Sequence, residues 1–165
     1  MSESPHRALD EIQAALADAA HRVVMDQGAT LDLDLRDDLL GLTEALELFI
    51  PGLDPPADPQ AARQLAAASS AALIQGRPRI ALARALRGLS YSAHHAELFY
   101  LASSACFELG ATTEAVRLLA HTLWINPGHD RARREMEAIS AYDDSGSWWG
   151  PEDLPGDESG GERAA

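Results

Sequence analysis

The residues best suited to chemistry in this chain are six histidines, one cysteine and two pairs of closely spaced aspartates. A metal site or a general acid–base pair needs several such side chains at spacings that bring them to one place. The histidines lack such a spacing. His94 and His95 are adjacent, so on a helix they point to different sides, and no H-E-x-x-H pattern is present. We interpret the histidines as surface or turn residues.

Cys106 is the only cysteine, which excludes an internal disulfide. We interpret it as a small buried residue rather than a reactive thiol, because of its place in the repeat described below. The pairs Asp32/Asp34 and Asp37/Asp38 flank a predicted helix start, where capping and the helix dipole explain carboxylates better than catalysis does. No nucleophile elbow and no phosphate-binding glycine loop occurs. We therefore expect no enzyme activity, no metal and no cofactor.

The composition favours one helical domain with a tail. The 165 residues are 46% hydrophobic, rich in Ala and Leu, and only 5% aromatic. The formal net charge is −13 and every basic residue is Arg, so nucleic-acid binding is not expected. No secretory signal and no run of about 18 apolar residues is visible, which predicts a cytoplasmic protein without membrane insertion.

The elements that must position any site lie in an internal repeat. The segments 62–93 and 96–127 match when position 62 is aligned with position 96, with glycines and small residues in register. The matched pairs are Ala62 with Ala96, Ala68 with Ala102, Ser69 with Ser103, Gly76 with Gly110, and Ala81 with Ala115.

The period of this repeat resembles that of the tetratricopeptide repeat (TPR), whose units are about 34 residues long. The motif slots of the second copy hold Phe99, Ala102, Ser103, Cys106, Ala115, Leu119 and Pro127. Those of the first copy hold Leu65, Ala68, Ser69, Ala72, Ala81, Ala85 and Ala93. The alternative is a generic Ala-rich helical bundle. The resemblance implies an all-α fold, a short right-handed TPR superhelix of antiparallel helical hairpins, with an N-terminal helical pair and a C-terminal capping helix.

Outside the repeats, apolar spacing predicts helices over about 5–27 and 35–50. Between them, ATLDLDL alternates like a strand but has nothing to pair with, so we read it as a connector or helix lead-in. Asp58 should cap the first repeat helix, and Thr112 or Thr113 the last. The second repeat helix is predicted from Pro78 to about Tyr91, and a final helix, capped by Asp130, from Asp130 to about Tyr142. The predicted organisation is an N-terminal helical segment (1–50), a Pro-rich linker (51–59), a TPR domain ending in a capping helix (60–142), and a disordered acidic tail (143–165).

A TPR array has a concave groove lined by the first helix of each hairpin. Leu73, Ile74, Tyr100 and Phe107 would form an apolar strip there, which needs a ligand or the protein's own chain over it. The functional interpretation is a peptide-binding groove; the alternative is that the N-terminal helices or a second copy cover it. The predicted groove residues are Leu73, Ile74, Tyr100, Ser104, Phe107, Arg131 and Arg134.

Two further features are candidates for binding. Arg131, Arg133 and Arg134 form a basic cluster, either a solvated helix face or an anchor for an acidic partner. Trp148 and Trp149 lie in the acidic tail, where aromatic residues are unusual. We predict that this pair docks on another protein or on the groove.

The segment Leu73 to Ala132, with Phe99-Tyr100-Leu101 followed by Ala105-Cys106, resembles the class II chaperones of type III secretion. That resemblance implies a homodimer formed through the N-terminal helices, and a groove that holds an extended apolar segment of a secreted client. The alternative is a non-catalytic scaffold or assembly subunit of a larger bacterial complex, docking through the TPR surface and the Trp-containing tail.

Overall fold

The computed structural model describes residues 5–26, 28, 30–47 and 58–145, with side chains described between residues 9 and 142 of these ranges. Within them lie seven α-helices and no strand, which confirms the all-α class. In chain order the helices are α1 (Pro5–Met25), α2 (Leu33–Leu46), α3 (Pro59–Ile74), α4 (Pro78–Tyr91), α5 (Ala96–Glu108), α6 (Thr112–Ile125) and α7 (Asp130–Ser145).

The start of α2 explains the strand-like sequence ATLDLDL. The carboxylate of Asp32 accepts the backbone N–H groups of Asp34 and Leu35, at 3.1 and 3.3 Å. These N–H groups have no partner within the helix, so a capping carboxylate stabilises its first turn. Leu35 then points into the core while Leu33 is exposed. The described part of the segment, residues 30–35, is therefore a helix lead-in, one of the two predicted possibilities.

The first N-terminal helix packs on α4, which supplies Arg79 to fasten its C-terminal end. The guanidinium of Arg79 donates to the carbonyl oxygens of Val23 and Thr30, each at 3.2 Å, and to that of Gly28. It also pairs with the Asp26 carboxylate at 3.2 Å. Because the last carbonyls of a helix have no partner within it, a cation here is stabilising. The backbone N–H groups of Gly28 and Asp32, and after them Arg79, hold the pKa of Asp26 below its usual value, although burial acts in the opposite direction.

The second N-terminal helix packs on α6 through ion pairs. Arg36 donates from Nε and Nη2 to one oxygen of Glu114, at 3.1 and 2.9 Å, and Glu114 is only 4% exposed. Near the other end of α2, Arg117 pairs with Glu47 at 3.1 Å. A nearly buried carboxylate needs such a partner, since an unpaired charge there would be costly. The N-terminal pair thus lies on the second helices of the two hairpins, α4 and α6.

The two central hairpins, α3–α4 and α5–α6, have the same local geometry at equivalent repeat positions. Each turn contains a glycine in the left-handed region, Gly76 with φ +71° and Gly110 with φ +77°. In each, the N–H of the next residue donates to the carbonyl four residues before the glycine, at 2.9 Å. This conformation strains any residue with a side chain, so glycine is required at both turns. The internal repeat of the sequence is therefore present in the structure.

A pair of serines repeats in the same way inside the hairpins. The hydroxyl of Ser69 donates to the carbonyl oxygen of Ala81 at 2.8 Å, and that of Ser103 to Ala115 at 2.7 Å. Both serines are fully buried. Each bond joins the first helix of its hairpin to the second, and such a bond contributes about 1 kcal/mol. The matched serines in the sequence thus mark the crossing point of each hairpin.

The predicted threonine cap of the last hairpin helix is wrong. The N-cap residue of α6 is Ala111, which makes no side-chain capping bond, and Thr112 is the first helical residue. The equivalent N-cap of α4, Arg77, also makes no such bond. The predicted cap at Asp58 is confirmed, because its carboxylate accepts the N–H of Ala61 at 3.0 Å.

The chain divides into two compact units, 1–129 and 130–165. The second unit begins with α7, which runs past its predicted end at Tyr142 to Ser145. Asp130, the predicted cap of this helix, is its first helical residue. The predicted domain boundaries and the right-handed TPR superhelix stay predictions, and residues 51–57 and 146–165 of the predicted linker and tail lie outside the described residues.

Candidate functional site

The predicted groove corresponds to one stripe on each of the two first helices. α3 and α5 contact each other, and each carries three residues at spacings of four and three, which place them on one side of a helix. The stripes occupy equivalent repeat positions and so face the same way. We call them together the α3/α5 face. It consists of Ala66, Ser70 and Leu73 on α3, and Tyr100, Ser104 and Phe107 on α5.

The α3/α5 face is partly open, with its most exposed apolar neighbour at one end. Leu73 and Phe107 are half-buried and pack against the hydrophobic core, and Ser104 is also half-buried. Ile74, next to this face at the end of α3, is 85% exposed. Among the four residues of the predicted apolar strip, Ile74 is therefore the one that presents most of its surface to a ligand.

Tyr100 is less available than the sequence suggests. It is 7% exposed, and its ring centroid lies 4.9 Å from that of His129. The Nε2 atom of His129 in turn lies 3.4 Å from Oε1 of Glu97, so the imidazole that packs against the tyrosine ring is itself held by a carboxylate. Tyr100 is thus a fixed wall of the α3/α5 face rather than a projecting side chain.

The remaining predicted site residues lie elsewhere. Arg131 and Arg134 are exposed on α7, in the second compact unit. Trp148 and Trp149 lie outside the described residues. The structure therefore brings Leu73, Ser104 and Phe107 together with Ile74 and Tyr100 on two adjoining helices, and it places the arginines on a separate helix.

The close packing of these helices depends on Gly88 in α4. A Cβ atom built on Gly88 would lie 2.8 Å from Cδ2 of Leu98 in α5 and 3.3 Å from Cβ of Leu65 in α3. The first distance is shorter than a van der Waals contact permits, and Leu98 is fully buried. Only glycine allows α4 to approach α3 and α5 this closely. This approach sets the positions of α3 and α5, the two helices that form the face.

A buried imidazole is the main feature that the sequence did not reveal. His121, expected at the surface or in a turn, is 1% exposed, and that expectation is wrong. Its ring centroid lies 4.3 Å from that of Phe99 and 5.0 Å from that of Trp124. Burial lowers the pKa of His121 to about 4, with the nearby His94 and Arg117 charges acting in the same direction. The available signal was its position three residues after Leu118, on the buried side of α6.

His95, by contrast, is a turn residue as predicted. It is the N-cap of α5, and its Nδ1 atom accepts the backbone N–H of Leu98 at 3.3 Å. Burial lowers the pKa of His95, which keeps Nδ1 free to accept this bond. The imidazole here replaces the Ser, Thr, Asp or Asn that usually caps a helix.

Cys106 is buried, as expected for its motif slot. Burial, and then the Glu114 carboxylate, raise the pKa of the Cys106 thiol to about 12, although the Arg36 charge acts against the shift. Nucleophilic chemistry needs the thiolate, which this environment disfavours. The residue therefore contributes to packing between the helices of the second hairpin.

Two further kinds of functional feature are metal-binding clusters and membrane-spanning helices, and neither occurs among the described residues. In the part of the chain that the structure describes, no three His, Cys, Asp or Glu side chains are grouped so as to hold a metal ion. Over the same residues, no helix combines the length and apolar character needed to span a bilayer. We therefore take the α3/α5 face as the candidate binding surface.

The tetratricopeptide and secretion-chaperone resemblances rest on the residues of this chain alone. No family model, no curated protein and no solved structure matches the chain.

Proposed function

We propose that this chain is a non-catalytic protein-binding module, and that its α3/α5 face with Ile74 binds an extended apolar segment of a partner protein. The observation that carries the proposal is the pair of equivalent stripes on adjoining helices, with Leu73 and Phe107 half-buried beside an Ile74 that is 85% exposed. A soluble protein seldom leaves large apolar side chains together at its surface without an interaction to cover them.

The packing of the N-terminal pair supports this assignment. Among the described residues, and apart from the contact of α1 and α2 with each other, α1 packs on α4 and α2 on α6. The helices α1 and α2 therefore cover α4 and α6, the second helices of the hairpins. They leave α3 and α5 open to another occupant. This favours a bound segment over one of the two predicted alternatives, which placed the N-terminal helices on the groove.

The chemistry of α3 suits an apolar ligand. Its 16 residues include a single charged side chain, Arg63, in a chain that is 24% charged overall. The half-buried hydroxyls of Ser70 and Ser104 lie within the same face and suit hydrogen bonding to the backbone of an extended segment. Apolar contacts then supply affinity and the serines supply orientation.

A chaperone of a secreted client, of the type III secretion kind, is the finer form of this proposal. It rests on the resemblance of the segment Leu73 to Ala132 alone. Such a chaperone would keep an apolar client segment soluble before secretion. A scaffold that docks through Trp148 and Trp149 is the alternative, and those residues lie outside the described part of the chain.

The test is a binding assay against an array of extended peptides with alternating apolar residues, followed by fluorescence anisotropy on labelled hits. Ile74→Asp should weaken binding at least tenfold, because a carboxylate would be desolvated against apolar ligand atoms. Leu33→Asp is the matched control, since Leu33 is also a strongly exposed aliphatic residue but lies at the start of α2. It should bind like the wild type.

Equal binding by the Ile74→Asp and Leu33→Asp variants would reject the α3/α5 face as the ligand site. Deletion of residues 146–165 distinguishes this proposal from the scaffold alternative, which docks through Trp148 and Trp149. If the α3/α5 face is the ligand site, the truncation should leave peptide binding unchanged. If the wild type were dimeric in light scattering and Ile74→Asp made it monomeric, a second copy would be the occupant instead.

A further inference from the structure

A second surface, independent of the α3/α5 face, lies between α1 and α4. The cleft has a volume of about 360 Å³. Val24 of α1, with Ile80 and Ala83 of α4, gives it an apolar floor. Val24 is 46% exposed, so a ligand in the cleft would cover apolar surface that water now contacts.

The rim of this cleft is cationic. Arg84 and Arg87 follow Ile80 at spacings of four and seven residues, on the same side of α4, and His21 lies opposite on α1. Among the described residues no acidic side chain lines the cleft, although the chain carries 26 acids against 13 arginines. Within the same part of the chain, neither arginine forms an ion pair.

The neighbouring clefts have the opposite character. The one between α1 and α2, of about 370 Å³, is lined by Asp18, Asp37 and Asp38 together with Arg22. Another, at the end of α1, is lined by Asp26 and Asp32 together with Arg22. The α1–α4 cleft therefore differs from both in presenting positive charge without described carboxylates of its own.

Both walls of the cleft are held in place. Arg79 ties the end of α1 to α4 through the carbonyl of Val23, the residue before the cleft-lining Val24. Arg84 donates to the carbonyl oxygen of Ala68 in α3 at 3.0 Å, which fixes its side chain. Arg87 is exposed and makes no such bond to the residues that the structure describes, so its guanidinium is the group best placed to bind a ligand carboxylate.

From this charge complementarity we infer that the α1–α4 cleft docks an acidic protein segment carrying an aliphatic side chain. The aliphatic group covers Val24 and Ile80, while flanking carboxylates pair with Arg87 and Arg84. The inference does not depend on the α3/α5 face, because the two surfaces share no residue.

The experiment uses fluorescence anisotropy with the full chain and three labelled peptides of equal length. The acidic probe is GEDELLDEDG, its neutral counterpart is GQNQLLNQNG, and its apolar-free counterpart is GEDESSDEDG. The acidic probe should bind more tightly than either counterpart. Arg87→Gln should weaken it about threefold, as expected for one rim charge, and Val24→Asp at least tenfold.

Matched controls separate the cleft from general electrostatics. Arg63→Gln removes an exposed arginine from α3, and Leu33→Asp adds a carboxylate at another exposed aliphatic position. Both should bind the acidic probe like the wild type, as should Ile74→Asp, and circular dichroism checks that every variant is folded.

Three results would overturn the inference. One is equal binding of the acidic and neutral probes. Another is an Arg63→Gln effect as large as that of Arg87→Gln. The third is a short single-stranded oligonucleotide that binds as tightly as the acidic probe and competes with it, since that would make the cleft a phosphate site.

Discussion

The first helices of the two hairpins, α3 and α5, end in turns of the same conformation but have different surroundings. Leu98, Leu101 and Ala105 of α5 are buried against neighbouring helices. Their equivalents one repeat earlier, Gln64, Ala67 and Ala71, are exposed. The turn geometry of a repeat thus depends on its own sequence. The burial of the side of its first helix that carries these residues depends instead on which helix precedes the repeat.

The tetratricopeptide motif is matched better by the second copy, whose slots hold the larger Phe99, Cys106 and Leu119, than by the first, whose slots hold Leu65, Ala72 and Ala85. The difference in burial explains this. Every helical motif slot of the second copy is buried, whereas Leu65 and Ala68 of the first are only half-buried. α4 precedes α5 and covers its flank, but the N-terminal pair packs on α4 and α6. α3 therefore carries the small and polar residues suited to a terminal helix of a stack.

The two repeats should differ most when the same charge is placed at Ala71 and at Ala105. These are identical residues at equivalent repeat positions, one exposed and one fully buried. Ala105→Glu should cost more than about 4 kcal/mol, because it buries an unpaired carboxylate in a packed core. Ala71→Glu should change the free energy of unfolding by less than about 0.5 kcal/mol. Urea unfolding measures both, and similar costs would mean that α3 is covered.

The second test uses pH at His121, whose repeat equivalent is the exposed Arg87. The folded-state pKa of His121 is about 4, below its ordinary 6.5. The stability that depends on the neutral imidazole is therefore fully present above pH 6.5 and is lost as the pH falls towards 4. Arg117 and His94 oppose protonation, whereas Glu47, at 3.9 Å, favours it. We expect a loss of about 2 kcal/mol over this range.

The His121→Leu variant supplies the control for this pH effect, since other groups titrate over the same range. Subtracting its unfolding free energies from those of the wild type at each pH isolates the imidazole. A difference that stays constant between pH 6.5 and 4 would show that His121 is not buried as a neutral base.

A third test compares two helical glycines. Gly88→Ala should destabilise the protein by about 1 to 2 kcal/mol, because the added Cβ meets Leu98 and Leu65 at the junction of α3, α4 and α5. Gly41→Ala in α2 has nothing within 4 Å of its new Cβ and should stabilise by about 0.5 to 1 kcal/mol. Thermal unfolding distinguishes the two signs. Stabilisation by both would mean that α4 does not approach α5 closely.

The smallest effect should be equal in the two hairpins. Ser69→Ala and Ser103→Ala each remove a buried hydroxyl bond between helices, so each should cost about 1 kcal/mol. Chemical unfolding of the two single variants tests this. Costs that differ by more than about 1 kcal/mol would show that the equivalence of the hairpins stops at their turns.

The sequence was a good guide to elements that depend on local chemistry. The register of the repeat, the glycines at positions 76 and 110 and the cap at Asp58 all act within one turn or one hairpin, and the structure contains each of them. The α4 helix matches its predicted range of Pro78–Tyr91 for the same reason. Signals of this kind need no knowledge of distant partners.

Features that depend on distant partners were not predicted. Nothing near Arg79 in the sequence indicates that it bonds to the end of α1. The position of His121 after Leu118 pointed to burial, but nothing near it indicates that Phe99 is its partner. For the candidate site, the repeat pattern pointed to equivalent positions on two helices, α3 and α5, and these helices contact each other in the structure. It carried no information on the exposure of each residue, so it could not separate the open Ile74 from the enclosed Tyr100.

The bonds between Arg79 and the end of α1 have a consequence for the order in which the chain folds. The bonds of Arg79 hold the end of α1, and its ion-pair partner Asp26 lies 53 positions away in the sequence. Arg36 of α2 and its partner Glu114 are 78 positions apart. The hairpins α3–α4 and α5–α6, in contrast, close between sequence neighbours and so meet a small entropic barrier. During synthesis α1 and α2 emerge before α4 and α6. Until those helices are made, the apolar sides of α1 and α2 have no helix to pack against. We therefore expect docking of the N-terminal pair to be the late, rate-limiting step, with amide protection in the hairpins preceding that in α1 during refolding.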